Sequence, residues 1–158
     1  MSDAPKITVK AVVVCDEVRR EDNGKEILIG VYSSGVLVPQ FPAPLNFTFW
    51  VQFTSTGLGQ SSLMFRVMGG EDVKFAEIRV DLNLIKSGLG SMAIGPVPVM
   101  LQIATSLTLQ MKQGEHDDWL KIEEIVIDKG PAVNPLTGAP VPLVRREYVP
   151  VPPKPATD

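Results

Sequence analysis

The sequence is poor in the residues that most often carry catalysis and metal binding. Its 158 residues include one cysteine, Cys15, and one histidine, His116. A single cysteine can form neither an internal disulfide nor a zinc cluster, and it is typical of a reducing compartment. Phosphate-binding glycine loops, paired Cys-x-x-Cys and His-Glu-x-x-His are missing as well. We therefore expect a protein without enzyme activity and without a cofactor.

Long apolar runs and clusters of positive charge are also scarce. The longest apolar run, residues 92–101, is interrupted by one glycine and two prolines, so it predicts no membrane span. The first ten residues, MSDAPKITVK, lack the apolar stretch of a secretory signal. The formal net charge of −3 gives no electrostatic reason to expect nucleic acid or an anionic membrane as partner. These features favour a soluble, cytoplasmic protein.

The hydrophobic pattern has a period of two over most of the chain, which is the signature of strands. In NFTFWVQFTST, residues 46–56, apolar side chains alternate with polar ones. Seven or eight such segments, separated by turn signals, predict an all-β fold, an antiparallel β-sandwich of about seven to eight strands. We expect a bulge near Phe75, where the alternation changes phase, and a short helix within residues 84–94. Residues 97–111 are too long for one strand unless they bend or fold into a hairpin.

The last part of the chain differs in composition from the rest. Residues 130–158 contain eight of the fourteen prolines. Proline cannot donate to a sheet ladder and favours an extended conformation. The sequence therefore predicts a β-sandwich domain over residues 1–129, followed by an extended proline-rich C-terminal arm over residues 130–158.

The stretch CDEVRREDNGKEILIG, residues 15–30, contains the only cysteine and an Asn-Gly pair. Asn-Gly between strand-forming segments is the strongest short signal for a β-hairpin, because both residues tolerate positive φ. The neighbouring Asp16 and Glu17 would raise the pKa of Cys15, and a strand sends Asp16 to the opposite face. We therefore expect a hairpin with a buried, inert cysteine rather than a nucleophile.

A family resemblance adds to this interpretation. VVVCDEVRREDNGKEILIGVY, followed by VLVPQFP, resembles the opening of an uncharacterised family of small bacterial all-β proteins. The resemblance covers about residues 6–45 and does not include the arm. It implies an all-β fold. Because the family has no established activity, the resemblance transfers no catalytic residue.

Two acidic loops are the candidate metal site. If the strands alternate up and down, residues 69–72 and 114–118 lie at one end of the domain, where their carboxylates could hold calcium. The ordinary alternative is that both loops are solubilising turns. A catalytic triad would have to be built around His116 in the second loop, which is polar, and we do not expect one. The candidate metal ligands are Glu71, Asp72, Glu115, Asp117 and Asp118.

Two glycine-rich loops, TGLGQSS (56–62) and SGLGSMA (87–93), form a near-repeat. Backbone N–H groups of such loops can cradle an anion. Glycines that turn a corner with positive φ are the commoner case, and Lys86 is the only basic residue beside these loops. We therefore expect the glycines of both loops to turn the chain rather than to bind an anion.

Trp50 and the arm are the candidate partner-binding residues. Trp50 shares the polar face of its strand with Thr48, Gln52 and Thr54, so we expect it either to be covered or to await a partner. The arm offers apolar groups, and its restricted backbone loses little entropy on binding. The sequence thus predicts a non-enzymatic interaction or assembly module, a homo-oligomer or a component of a larger bacterial or phage-type assembly. The alternative is a calcium-dependent ligand-binding sandwich. The predicted partner-binding residues are Trp50, Val141, Leu143, Arg145, Arg146, Tyr148, Val149 and Val151.

Overall fold

A computed structural model of the chain describes residues 5–33 and 35–130, apart from the side chain of Glu71. These residues are nearly all β and include no α-helix; a single 3-10 turn spans Gly70–Asp72. The strands they form are β1 (Lys6–Cys15), β2 (Glu17–Arg20), β3 (Glu26–Ile29), β4 (Val36–Val38), β5 (Ala43–Thr56), β6 (Gly59–Met68), β7 (Lys74–Leu84), β8 (Gly88–Leu101), β9 (Thr105–Lys112) and β10 (Leu120–Lys129).

The strands make three sheets. One has three strands in the order β1-β5-β8, the second has five in the order β4-β10-β9-β6-β7, and the third is the hairpin β2-β3. The strand pairs are antiparallel, as predicted, with the exception of β4 and β10, which are parallel over Val36–Val38 and Ile127–Lys129. The all-β prediction is confirmed.

The two larger sheets enclose one hydrophobic core. On β5 the predicted alternation is confirmed, because its phenylalanines are buried at 5% exposure or less while Trp50 and Gln52 point the other way and are partly exposed. The opposing sheet contributes the inward side chains of β6, β9 and β10. Each fully buried Phe or Leu stabilises the fold by about 1.5–3 kcal/mol. The core side chains with the least exposure include Phe47, Phe49, Val51, Leu63, Phe65, Leu107, Leu109 and Ile127.

Glycine corners carry the chain from one sheet to the other. β5 of the three-stranded sheet continues into β6 of the five-stranded sheet through Gly57, and β7 returns to β8 before Gly88. Their φ angles of 87° and 128° are favourable only for glycine. The pairs Ser55–Gly88 and Gly59–Leu84 flank these corners, so both corners lie at the same end of the domain. Of the four glycines in the two predicted loops, Gly57, Gly59 and Gly88 have positive φ, as predicted, whereas Gly90 lies within β8 opposite Phe53.

Three local predictions are settled by the strand register. Val67 pairs with Ala76 and Met68 with Lys74, so Phe75 is an extra residue without a partner on β6. The predicted bulge near Phe75 is confirmed. The short helix predicted within residues 84–94 is wrong, because these residues end β7, turn, and begin β8. The segment 97–111 breaks at residues 102–104 into β8 and β9, which belong to different sheets.

The stretch around Asn-Gly is a hairpin, as predicted. β2 and β3 are antiparallel with Arg20 opposite Glu26, and Glu21 N donates to Lys25 O at 2.8 Å across the turn. Gly24 has a φ of 82°. The predicted arm lies outside the described residues from Pro131 onward, so its boundary stays a prediction.

Candidate functional sites

The structure does not bring the two acidic loops together. The loop 69–72 follows β6, and Gly70 N donates to Thr105 Oγ1 at 3.1 Å, at the start of β9. The loop 114–118 follows the other end of β9. Residues 102–104 form a turn that divides the segment 97–111 into two strands running in opposite directions. Because of this additional reversal, the second loop lies at the opposite end of the five-stranded sheet.

The acidic side chains of the second loop serve the turn itself. Asp117 Oδ2 accepts a 2.8 Å hydrogen bond from Gly114 N, and Lys112 Nζ donates to Glu115 O at 2.9 Å. Asp118 and His116 are exposed in the same loop. Within residues 5–33 and 35–130, no group of three His, Cys, Asp or Glu side chains is placed to hold a metal ion. The two loops therefore do not converge on one site, as the calcium alternative requires.

Trp50 is covered in part by the β2-β3 hairpin. Its indole Nε1 donates to Glu26 Oε2 at 2.6 Å, and Ser91 Oγ on β8 donates to the same oxygen at 2.7 Å. Arg20 Nη2 reaches the other oxygen of Glu26 at 2.7 Å. Trp50 keeps partial exposure beside this network, so its role as a partner contact stays a prediction.

The Glu26 carboxylate is held in its charged form. Burial raises its pKa, but the hydrogen bonds from Ser91, Arg20 and Trp50 outweigh burial and hold the pKa below its ordinary value. The sequence did not point to Glu26 or Ser91 as partners of Trp50. Their separations of 24 residues between Trp50 and Glu26, and 65 between Ser91 and Glu26, carry no local pattern.

Cys15 is a buried core residue, as predicted. Its side chain has no exposed surface, and its Sγ lies 3.5 Å from Thr48 O. Burial raises the pKa of the thiol, and the neighbouring Asp16 raises it further. Asp16 also accepts a hydrogen bond from the Tyr32 hydroxyl. Because the thiol is protonated and inaccessible, it is not available as a nucleophile.

Trp119 contacts two cationic side chains on the outer face of the five-stranded sheet. The guanidinium of Arg66 lies 4.2 Å from the ring centroid, and Lys112 Nζ lies 5.2 Å from it. Arg66 Nε also donates to Gln110 Oε1 at 2.7 Å on the adjacent strand. Both cations stabilise the partly buried ring through cation–π attraction. The outward parity of Arg66 and Lys112 on their strands is a sequence signal that could have placed them on this face.

Exposed apolar side chains gather at the end of the domain that carries the loop 69–72. They line a cleft of about 420 Å³, named here the end cleft. Val73, Met100 and Ile103 are 49%, 52% and 67% exposed, and Phe75 is partly buried beside them. Such gatherings of apolar surface are typical of interaction sites. The end cleft is lined by Gly69, Gly70, Val73, Phe75, Met100, Leu101, Gln102, Ile103, Ala104 and Thr105.

The last described residue lies at the same end of the domain as this cleft. Gly130 N donates to Val38 O at 2.8 Å, which fixes the last described residue on the edge strand β4. Ile127 pairs with Thr105, so Gly130, which follows the last residue of β10, lies toward the end where residues 102–104 line the cleft. No described helix is long and apolar enough to cross a membrane.

No protein-family model matches the chain, and neither a curated protein nor a solved structure matches it. The resemblance of residues 6–45 to a family of small bacterial all-β proteins therefore stays a prediction.

Proposed function

We propose that the protein is a non-enzymatic interaction or assembly module of the cytoplasm, an all-β sandwich whose C-terminal arm docks on a neighbouring subunit. The neighbour is a second copy of the chain, either in a homo-oligomer or within a larger assembly. Trp50 and the apolar and basic side chains of the arm form the contact.

The position of Gly130 carries the proposal. The hydrogen bond between Gly130 N and Val38 O gives the arm a fixed starting point on a sheet edge. Exposed apolar side chains, Leu37 at 46% and Ile103 at 67%, lie at the same end. An arm rich in proline and in valine, leucine and tyrosine offers these side chains an apolar partner at a low entropic cost.

The sandwich architecture is part of the proposal. One core is shared by the inner faces of the three-stranded and five-stranded sheets, which supports two packed layers. The outer face of the three-stranded sheet carries Trp50, so an arm docked there would contact a surface that the core does not use.

The test is the mass in solution, measured by light scattering after size exclusion. The full chain is compared with a chain ending at Gly130, which keeps the Val38 hydrogen bond, and with the full-length variant Leu143→Asp/Val149→Asp. We expect a discrete oligomer for the full chain and a monomer for both variants, each with unchanged far-ultraviolet circular dichroism. A full chain that is monomeric at every concentration would contradict the proposal.

A further inference from the structure

We propose that the arm of one copy enters the end cleft of a second copy, with Leu136 in the cleft and residues 144–146 beside Trp50. This inference rests on the proposed function and adds the site and the path of docking. Three features of the domain support it: the position of the last described residue, the direction of the chain there, and the distance between the cleft and Trp50.

The exit of the arm and the cleft share one end of the domain. β10 runs antiparallel to β9, with Ile127 opposite Thr105. Gly130 therefore lies beyond Ile127 at the end of the domain where residues 102–104 line the cleft. Two copies that meet through this end therefore bring each arm close to the partner's cleft.

The direction of the chain favours a second copy over the same copy. β10 leads the chain outward past the end of the sheet, whereas the cleft is formed by loops at that same end. A proline-rich segment favours an extended path over a sharp reversal. A partner copy facing this end presents its cleft to the oncoming arm. In a two-fold arrangement each copy gives one arm and receives one, which doubles the buried surface.

The spacing along the arm matches the spacing on the domain. Trp50 pairs with Ala93 on β8, eight residues before Leu101 of the cleft. Because β8 carries one extra residue at the register shift opposite residues 47–49, this stretch spans about 23–26 Å. An extended proline-rich chain rises about 3.1 Å per residue, so about eight residues cover this distance. With Leu136 in the cleft, Val144 and Arg145 reach the level of Trp50.

The first experiment compares two exposed isoleucines at opposite ends of the full-length protein. Ile103→Asp places a charge in the cleft, and Ile85→Asp is the matched control, because Ile85 is 82% exposed in the turn between β7 and β8. We expect Ile103→Asp to raise the dissociation constant of the oligomer at least tenfold, and Ile85→Asp to leave it unchanged. Equal effects of the two variants, or none, would overturn the inference.

The second experiment uses disulfide trapping with Ile103→Cys and Leu136→Cys, each in a separate full-length chain. The buried Cys15 stays outside the reaction in the folded protein. Mixing the two chains under mild oxidation should give a covalent dimer that reducing agent dissolves. A third chain carries both substitutions; a crosslink that forms only within this chain, and not between the two singly substituted chains, would overturn docking on a second copy. The absence of any crosslink would overturn the cleft as the site.

Arm docking and the end cleft as its site can be distinguished by experiment. If removal of the arm gives a monomer while Ile103→Asp leaves the full-length oligomer intact, arm docking stands and the end cleft is the wrong site. If the full chain is always monomeric, the proposed function fails, and this inference fails with it.

Discussion

The indole N–H of Trp50 donates a 2.6 Å hydrogen bond to the carboxylate of Glu26, which belongs to a hairpin 24 residues earlier in the chain. The same carboxylate accepts the Ser91 hydroxyl, so it connects the β2-β3 hairpin to two strands of the three-stranded sheet. Because β2 and β3 form a separate two-stranded sheet, this carboxylate is a principal polar attachment of the hairpin to the domain.

Replacing Glu26 should therefore loosen the hairpin. Glu26→Ala leaves the Trp50 N–H and the Ser91 hydroxyl without their acceptor, and we expect a loss of about 1–3 kcal/mol in the free energy of unfolding. Urea unfolding measures the loss. Glu17→Gln is the control, because it removes an exposed ion pair with Arg19, and it should leave the free energy of unfolding essentially unchanged. Equal losses for the two variants would contradict the role of Glu26.

The same carboxylate should make stability depend on acid. Its pKa is lowered in the folded protein, so its contribution is present above the ordinary carboxyl pKa of 4.5 and is lost as the pH falls through the lower folded value. Glu26→Gln should remove this part of the acid dependence. The check is urea unfolding of both proteins at several pH values between neutrality and strong acid; parallel curves would refute the expectation.

The Tyr32 hydroxyl should lose its proton at a higher pH than an ordinary tyrosine. Burial, the hydrogen bond to Asp16 and the Asp16 charge raise its pKa to about 12. Because the folded value is raised, the stability it contributes is complete below pH about 10 and is lost as the pH rises toward about 12. Absorbance at 295 nm in a Tyr148→Phe background isolates Tyr32. Asp16→Asn should lower its midpoint, though not to the ordinary value, since burial remains; an unchanged midpoint would exclude Asp16 as a cause.

Two glycines with positive φ should differ sharply in their tolerance of alanine. A Cβ on Gly95, at φ 131°, would lie 2.7 Å from Phe47 O and 3.1 Å from Thr48 Cα, both backbone atoms. A Cβ on Gly24, at φ 82°, meets nothing within 4 Å. We expect Gly24→Ala to cost about 1 kcal/mol and Gly95→Ala about 3 kcal/mol or more. Thermal unfolding measures both; similar losses would mean that the close approach at Gly95 relaxes without cost.

Calcium should leave the domain unchanged. The loops 69–72 and 114–118 lie at opposite ends of the five-stranded sheet, so the oxygen ligands that calcium needs are not gathered. Millimolar calcium should not shift the melting temperature of the full chain. A rise that Asp117→Ala/Asp118→Ala abolishes would show that the second loop binds calcium by itself.

The buried faces of strands and the positions of turns and bulges could be predicted, because they depend on residues close together in the sequence. The Phe47–Phe53 alternation determined which face of β5 is buried, since side chains in a strand alternate strictly between its faces. Asn23-Gly24 indicated the hairpin, and Gly24 supplies the positive φ of its turn. The phase change before Ala76 likewise determined the bulge at Phe75.

Long-range placement was decided only by the tertiary structure. A turn at residues 102–104, inside what local pattern presents as one apolar segment, sends β9 to the other sheet and moves the second acidic loop to the opposite end. The partners of Trp50 and the gathering of Val73, Met100 and Ile103 in the end cleft depend in the same way on which strands meet. Alternation along a strand specifies its buried face and carries no information about its neighbours, because that choice is made by packing among all the strands at once.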